Sequence, residues 1–262
     1  MNASDYLTQY YSQYDEDSRL LSRHGYVEYL TTMTYIRKYL SPEMRILEIG
    51  AATGRYSHAL ARQGYAVDAV ELVEHNIERF NQNTQPGEKV TIRQGNACDL
   101  SFLEDQTYDV TLLLGPMYHL FAREEQKQAL SEAVRVTKPG GVIFTAYCMG
   151  DASIVQYGFV RGKIHDLLAQ SLLDPVTFET FSYPQVLFEL YRKEDIDALR
   201  APLPVTQLHY VAADGYAAHL REALTEMDET TYQLFLRYHL ATCERLELTG
   251  YSNHVLDIFR KN

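Results

Sequence analysis

The feature that most constrains the fold is a regular alternation of short apolar segments and amphipathic segments between residues 45 and 146. The apolar segments have the length of strands, and the amphipathic ones have helical periodicity. This alternation predicts βαβ units with right-handed crossovers, and therefore an α/β fold with a doubly wound, mostly parallel sheet. The seven predicted strands cover residues 45–49, 66–71, 90–94, 108–114, 142–146, 205–211 and 254–259.

The segments outside this alternation predict additions to a central domain. Residues 1–41 are expected to form an N-terminal helical cap, and residues 42–148 a ligand-binding core. Residues 149–190 are rich in aromatic side chains and are expected to form an insertion. Residues 191–262 complete the core and hold a second, helical insertion at about 212–250.

Composition excludes several classes of partner. A formal net charge of −11 opposes nucleic acid, because an acidic surface repels phosphates. The three cysteines are far apart and unpaired in sequence, which predicts neither a disulfide framework nor a zinc site, and no other metal motif is present. The polar N-terminus and the shortness of the apolar runs predict a cytoplasmic protein without a membrane partner. Composition leaves the choice between monomer and homodimer open.

The turn after the first strand is the first place to look for a ligand, since ligands bind beyond the carboxyl ends of parallel strands. It contains Gly50 and Gly54, which are expected to allow a tight turn and a close approach of a ligand to the following helix. Glu48 precedes these glycines. A carboxylate there would repel a pyrophosphate, whereas it suits a cationic ligand.

Two further segments are expected to contact the same ligand. Glu71 ends the second strand, about 20 residues after the glycine turn, which suits a carboxylate that binds both hydroxyls of a ribose. The segment from Asn96 to Asp99 follows the third strand and is expected to bind an adenine.

The runs RILEIGAATGRYS, AVDAVEL, GNACDL, YDVTLLLG and KPGGVIF occur in this order within residues 42–148. They resemble the motifs of class I S-adenosylmethionine-dependent methyltransferases. The resemblance implies a seven-stranded Rossmann-like fold whose last strand is antiparallel, and S-adenosylmethionine as the cofactor. One departure is Ala52, which stands where the family commonly has the middle glycine of its first motif. The cofactor contacts expected from this resemblance are Glu48, Gly50, Ala52, Gly54, Glu71, Leu72, Asn96, Ala97, Cys98, Asp99, Leu114 and Tyr14.

The added segments are expected to cover the carboxyl edge of the sheet as lids, and a pocket closed in this way favours a small-molecule acceptor. His119 and Tyr118 follow the fourth strand at this edge and are the candidate catalytic residues, with His119 as a general base. Tyr10, Tyr11 and Tyr14 are expected to cover the sulfonium by cation–π contact. Asn253 and His254 begin the last strand and are secondary candidates.

Two other functions remain open. An NAD-dependent oxidoreductase has a similar fold, but its GxGxxG motif differs from the GxxxG spacing found here, and Glu48 would face the pyrophosphate. A non-catalytic module that binds S-adenosylmethionine or S-adenosylhomocysteine is compatible with the same residues, because the sequence does not identify the acceptor site.

Overall fold

The computed structural model describes residues 3–12 and 20–262. Within these residues, eight strands form one sheet in the order β3-β2-β1-β4-β5-β8-β7, and β6 pairs with the end of β5. The strands are β1 Arg45–Ile49, β2 Ala66–Glu71, β3 Val90–Gln94, β4 Tyr108–Leu113, β5 Thr137–Met149, β6 Leu190–Tyr191, β7 Val205–Ala212 and β8 His254–Lys261.

Helices connect these strands and cover both faces of the sheet. The α-helices are α1 Ala3–Tyr11, α2 Arg23–Lys38, α3 Arg55–Ala61, α4 Glu74–Asn83, α5 Arg123–Val136, α6 Gly150–Ser153, α7 Ile164–Ala169, α8 Lys193–Arg200, α9 Arg221–Glu226, α10 Glu229–Thr242 and α11 Leu246–Thr249. Three 3₁₀ helices lie at Pro116–His119, Pro184–Val186 and Gly215–Ala218, and a π-helix lies at Ile154–Val160. In the described part of the chain, no helix is long and apolar enough to cross a bilayer.

The strand order confirms the predicted doubly wound α/β fold. β1 pairs in parallel with both β2 and β4, so the order along the sheet reverses beside β1. β8 is antiparallel to β5 and to β7, as the resemblance implied for the last strand. The additional strand, β6, is only two residues long, which is too short to leave a periodic pattern in the sequence.

The central strands are apolar on both faces because helices pack on each side of the sheet. In β1, Ile46 points into the core shared with Ile36 of α2, whereas Leu47 and Ile49 contribute to the opposite core, shared with Leu130 of α5. All four of the residues Ile36, Ile46, Leu47 and Ile49 are fully buried. These two cores hold the strand ends in fixed positions.

The connections β5–β6 and β7–β8 leave the sheet at the same edge, because β5 and β7 have the same direction. Val27 of α2 is fully buried against Leu224 of α9 and Leu236 of α10, so the N-terminal segment packs on the second insertion. Helix α1 contacts the 3₁₀ helix Pro184–Val186 of the first insertion and also α4. The added segments are therefore packed against one another around the carboxyl edge.

Candidate functional site

A cavity of about 130 Å³ lies over the carboxyl ends of the central strands. It is placed beside β1, where the strand order reverses and where ligands of open α/β sheets bind. The residues that follow β1, β2, β3 and β4 line it together with side chains of α1, among them Gly50, Ala52, Thr53, Leu72, Val73, Gly95, Asn96, Ala97, Leu114, Pro116, Leu7 and Tyr11.

The two glycines of the turn after β1 make room for protein atoms. Gly50 has a φ of 75°, and a Cβ there would lie 2.6 Å from Cδ of Pro116. Gly54 has a φ of 90°, and a Cβ there would lie 2.6 Å from the side chains of His58 and Phe80. Gly54 is not among the cavity-lining residues. Both glycines therefore let the turn pack against its neighbours, and Gly50 also lines the cavity; their contact with a ligand stays a prediction.

Ala52 occupies the left-handed region of the backbone, with a φ of 47°. Glycine adopts this conformation without steric cost, whereas a Cβ makes it less favourable. The main-chain N–H of Ala52 donates a hydrogen bond of 2.8 Å to Oε2 of Glu71. Ala52 therefore adds backbone strain to a turn in which glycine would be unstrained.

Glu71 is buried and joins two loops of the cavity. Besides the bond from Ala52, its Oε1 accepts hydrogen bonds from the main-chain N–H of Val73 at 2.9 Å and from Nδ2 of Asn76 at 3.2 Å. Burial raises the pKa of Glu71, and the hydrogen bonds from Val73 and Ala52 oppose that rise. The main-chain N–H of Leu72 also contributes a hydrogen bond, so donors from the turns after β1 and β2 surround this carboxylate.

Glu48 is the second buried carboxylate of the cavity, with 2% of its surface exposed. Its Oε2 accepts hydrogen bonds from the main-chain N–H of Ser57 at 2.9 Å and from the Ser57 hydroxyl. Burial raises the pKa of Glu48 to about 7, and the bonds from Ser57 limit the rise. A nearby cation would favour the charged form and lower this pKa.

Arg55 is a cavity residue that the sequence analysis missed. Its guanidinium carbon lies 4.6 Å from the centroid of the Tyr29 ring. Its Nε is buried and has no hydrogen-bond partner among the residues described by the structure. Arg55 is the first residue of α3, where the helix dipole disfavours a cation. A cation at the start of a helix can be recognised in the sequence, so this position could have indicated Arg55 as a candidate site residue.

His119 lines the cavity, but both of its ring nitrogens are engaged. Nδ1 lies 2.8 Å from the carbonyl oxygen of Leu187, which only accepts, so Nδ1 carries the proton. Nε2 lies 2.9 Å from the Tyr11 hydroxyl and accepts its hydrogen bond. Burial lowers the pKa of His119 to about 4. His119 is therefore neutral at pH 7 and a weak proton acceptor.

Tyr118 also lines the cavity, and its hydroxyl donates a hydrogen bond of 2.8 Å to the carbonyl oxygen of Leu114. Its ring centroid lies 4.9 Å from that of His119, with an edge-to-face geometry. This bond directs the hydroxyl toward the main chain, so Tyr118 contributes the surface of its ring. Tyr14, which was expected to cover the cofactor, lies outside the described residues.

The segment after β3 turns partly away from the cavity. Asn96 and Ala97 line it, whereas Cys98 and Asp99 do not. Oδ1 of Asn96 accepts a hydrogen bond of 2.9 Å from the main-chain N–H of Cys98 and closes a tight turn. Asp99 instead accepts a hydrogen bond from the main-chain N–H of Ser101 at 3.1 Å. Contact of Cys98 and Asp99 with the cofactor stays a prediction, and neither residue lines the cavity.

Comparison with known protein families matches residues 46–141 to a model described as a methyltransferase domain. A demethylmenaquinone methyltransferase of Clavibacter sepedonicus is 29% identical over 182 residues, which cover 69% of each chain. An S-adenosyl-L-methionine-dependent Diels–Alderase of Talaromyces variabilis is 29% identical over 101 residues, which cover 37% of this chain and 34% of that protein. The chain spans less than half the length of several curated relatives that it matches.

The fold is similar to that of solved structures along the whole chain. A Thermotoga maritima protein described as an S-adenosylmethionine-dependent methyltransferase, possible histamine N-methyltransferase, has a TM-score of 0.60 and 17% identity, with full coverage of both chains. At this identity the likeness concerns the fold. The matched domain, residues 46–141, contributes most of the residues that line the cavity.

The strained backbone of Ala52 leads to a first prediction. Ala52→Gly relieves the left-handed strain but makes the unfolded chain more flexible, so the free energy of unfolding should stay the same or rise by up to about 1 kcal/mol. Ala59→Gly in α3 is the matched control and should lower it by about 0.5–1 kcal/mol. Urea denaturation measures both variants. If Ala52→Gly lowered the free energy of unfolding as much as Ala59→Gly does, the backbone of Ala52 would not be strained.

Proposed function

We propose that this chain is a class I S-adenosylmethionine-dependent methyltransferase, which transfers the methyl group of S-adenosylmethionine to a small organic molecule. The match of residues 46–141 to a methyltransferase domain supports this proposal. A small-molecule acceptor, a cytoplasmic location and the absence of a nucleic-acid partner remain predictions from the sequence.

The observation that carries this proposal is the charge pattern of the cavity. The cavity is lined by the buried carboxylates of Glu48 and Glu71 and by the guanidinium of Arg55. His119, which also lines it, is neutral. S-adenosylmethionine has a sulfonium, an ammonium and one carboxylate, which complement this pattern. The pyrophosphate of NAD would instead approach two carboxylates, which is unfavourable in a buried site.

Each residue near the cavity suits one part of the cofactor. Glu71 suits the two ribose hydroxyls, and Glu48 suits the ammonium group. The buried Nε of Arg55, which has no partner among the described residues, suits the carboxylate of the methionine part. Leu72 and Asn96 also line the cavity and suit the adenine.

When bound, the cofactor supplies an electrophilic methyl carbon on a sulfonium, and the acceptor attacks it in line. The protein then contributes alignment and the exclusion of water, which are worth about 7–11 kcal/mol in well-oriented reactions. A histidine with a pKa of about 4 is a poor general base at neutral pH. We therefore assign His119 to the orientation of Tyr11, whose hydroxyl it binds, and not to proton abstraction.

The segments around the carboxyl edge act as lids in this proposal. Leu7 and Tyr11 of α1 line the cavity directly, and α1 packs on the first insertion at Pro184–Val186. An acceptor has to fit beneath these segments, which favours a small molecule over a folded protein or an RNA.

The direct test is turnover. The purified chain, incubated with S-adenosylmethionine labelled in its methyl group and with a panel of small molecules, should transfer the label to at least one of them. Folded proteins and RNA serve as competing acceptors and should stay unlabelled. Tight binding of S-adenosylhomocysteine without transfer to any acceptor would favour the non-catalytic binding module instead.

Glu71→Ala should weaken the binding of S-adenosylhomocysteine roughly ten- to hundredfold, because the charged partner of the ribose hydroxyls is lost. Isothermal titration calorimetry measures the affinity. Glu74→Ala, an exposed change one turn further along the same loop and helix, is the control and should leave it unchanged. Equal affinity of both variants would refute the ribose assignment.

Arg55→Leu should weaken the binding of S-adenosylhomocysteine by about tenfold or more, since the carboxylate of the ligand loses its cation. The same variant should bind 5′-methylthioadenosine, which lacks the amino-acid part, as the parent chain does. Calorimetry with both ligands separates this role from a general disturbance of the turn. A similar loss for both ligands would rule out a specific contact with the carboxylate.

A further inference from the structure

A second cavity of about 570 Å³ lies beneath the first insertion, next to the first cavity. Phe188 lines it, and its ring centroid lies 5.3 Å from that of His119 and 6.2 Å from that of Tyr118, which line the first cavity. His254 also lines it, with its ring centroid 6.4 Å from that of Tyr118. The second cavity is therefore adjacent to the first, and these rings lie where the two meet.

His254 lies at the wall of this second cavity, and two neighbouring carboxylates stabilise its positively charged form. Its Nδ1 lies 2.8 Å from Oδ2 of Asp214 and 3.6 Å from Oε2 of Glu28. Burial opposes the charge, but Glu28, Cys148 and Asp214 together raise the pKa of His254 well above its ordinary value. Both ring nitrogens then carry protons. Nε2 has no hydrogen-bond partner among residues 3–12 and 20–262, so it offers a donor to the cavity.

The neighbouring residue, Asn253, also lines this cavity. Nε2 of Gln156 donates a hydrogen bond of 2.7 Å to the carbonyl oxygen of Ala218, so Oε1 of Gln156 accepts from Nδ2 of Asn253. This chain of bonds fixes the orientation of the Asn253 amide. Its Oδ1 is buried and lacks a donor among the described residues. An unsatisfied buried oxygen is unfavourable unless a ligand supplies the donor.

Most of the remaining lining of the second cavity is apolar. Tyr157, Phe181 and Phe188 contribute aromatic rings, and Val186 an aliphatic side chain. Asp166 also lines the cavity, but its charge pairs with Lys163 at 3.0 Å. The cavity thus combines polar groups, among them those of the adjacent residues Asn253 and His254, with a largely apolar surface.

We propose that this second cavity binds the methyl acceptor, and that the acceptor is an uncharged, largely apolar molecule with a hydroxyl group held between His254 and Asn253. A hydroxyl oxygen accepts from Nε2 of His254, and the hydroxyl proton is donated to Oδ1 of Asn253. The apolar body packs on the rings of the insertion. This inference rests on the proposed methyl transfer.

The trio of Glu28, Asp214 and His254 also has the composition of a metal site, since its ligand atoms lie within 4.8 Å of one another. Both oxygens of Asp214 already accept hydrogen bonds, Oδ1 from the Ser252 hydroxyl at 2.6 Å and Oδ2 from His254. These contacts favour an ion pair that holds His254 in its charged form.

The test uses the full chain saturated with S-adenosylhomocysteine and two matched probes, 2-naphthol and naphthalene, with binding followed by ligand-observed NMR. We expect 2-naphthol to bind roughly ten- to hundredfold more tightly than naphthalene. In His254→Gln this preference should fall to less than about threefold, because a neutral amide replaces the charged donor. His165→Gln, an exposed change in the same insertion, is the control and should keep the preference.

A second pair of variants tests the location. Val186→Trp should fill the cavity and abolish the binding of both probes, whereas Val176→Trp, at a position that is 83% exposed, should not. Three outcomes would each overturn the inference. The probes could still bind to Val186→Trp, the preference for 2-naphthol could persist in His254→Gln, or binding could require an added divalent cation. Binding of S-adenosylhomocysteine is measured for the parent chain and for every variant. A parent chain that does not bind S-adenosylhomocysteine contradicts the proposed function. A parent chain that binds it but shows no preference for 2-naphthol over naphthalene contradicts this inference alone.

Discussion

The buried carboxylate of Glu71 is the interaction on which the cofactor cavity depends. A carboxylate is costly to bury unless donors surround it, and here the donors come from two different loops. The N–H of Ala52 belongs to the turn after β1, while Val73 and Asn76 belong to the turn after β2. Satisfying one carboxylate therefore fixes both turns relative to each other. The same bond explains why Ala52 keeps a left-handed conformation that its side chain disfavours.

The chemistry of the site follows from what burial does to its titratable groups. Burial keeps His119 neutral, and the contact with Leu187 fixes which nitrogen carries the proton. At His254 burial also opposes the charge, but the neighbouring carboxylates raise the pKa and keep the ring in its charged form. One histidine thus positions a tyrosine, and the other presents a donor to the second cavity. Identical side chains differ here because only one of them has acidic neighbours.

The structure places some of the predicted site residues away from the cavity, through turns and packing contacts. Asn96 closes a tight turn with the N–H of Cys98, and this local bond directs Cys98 and Asp99 away from the cavity. Gly54 follows the pattern of a ligand-binding glycine, yet its missing Cβ makes room for His58 and Phe80. In both cases the residue type was compatible with two roles. Packing against neighbours selected between them.

The sequence by itself determined the sheet and the place of the cofactor site, because strand periodicity and the order of the glycine turn and Glu71 are local patterns. The predicted bounds of β1, β2 and β3 agree with the structure. Only the tertiary structure brought Glu28, Asp214 and His254 together, since they come from α2, from the end of β7 and from β8. Contacts between segments this far apart depend on how the insertions pack on the sheet, and no local pattern encodes that packing.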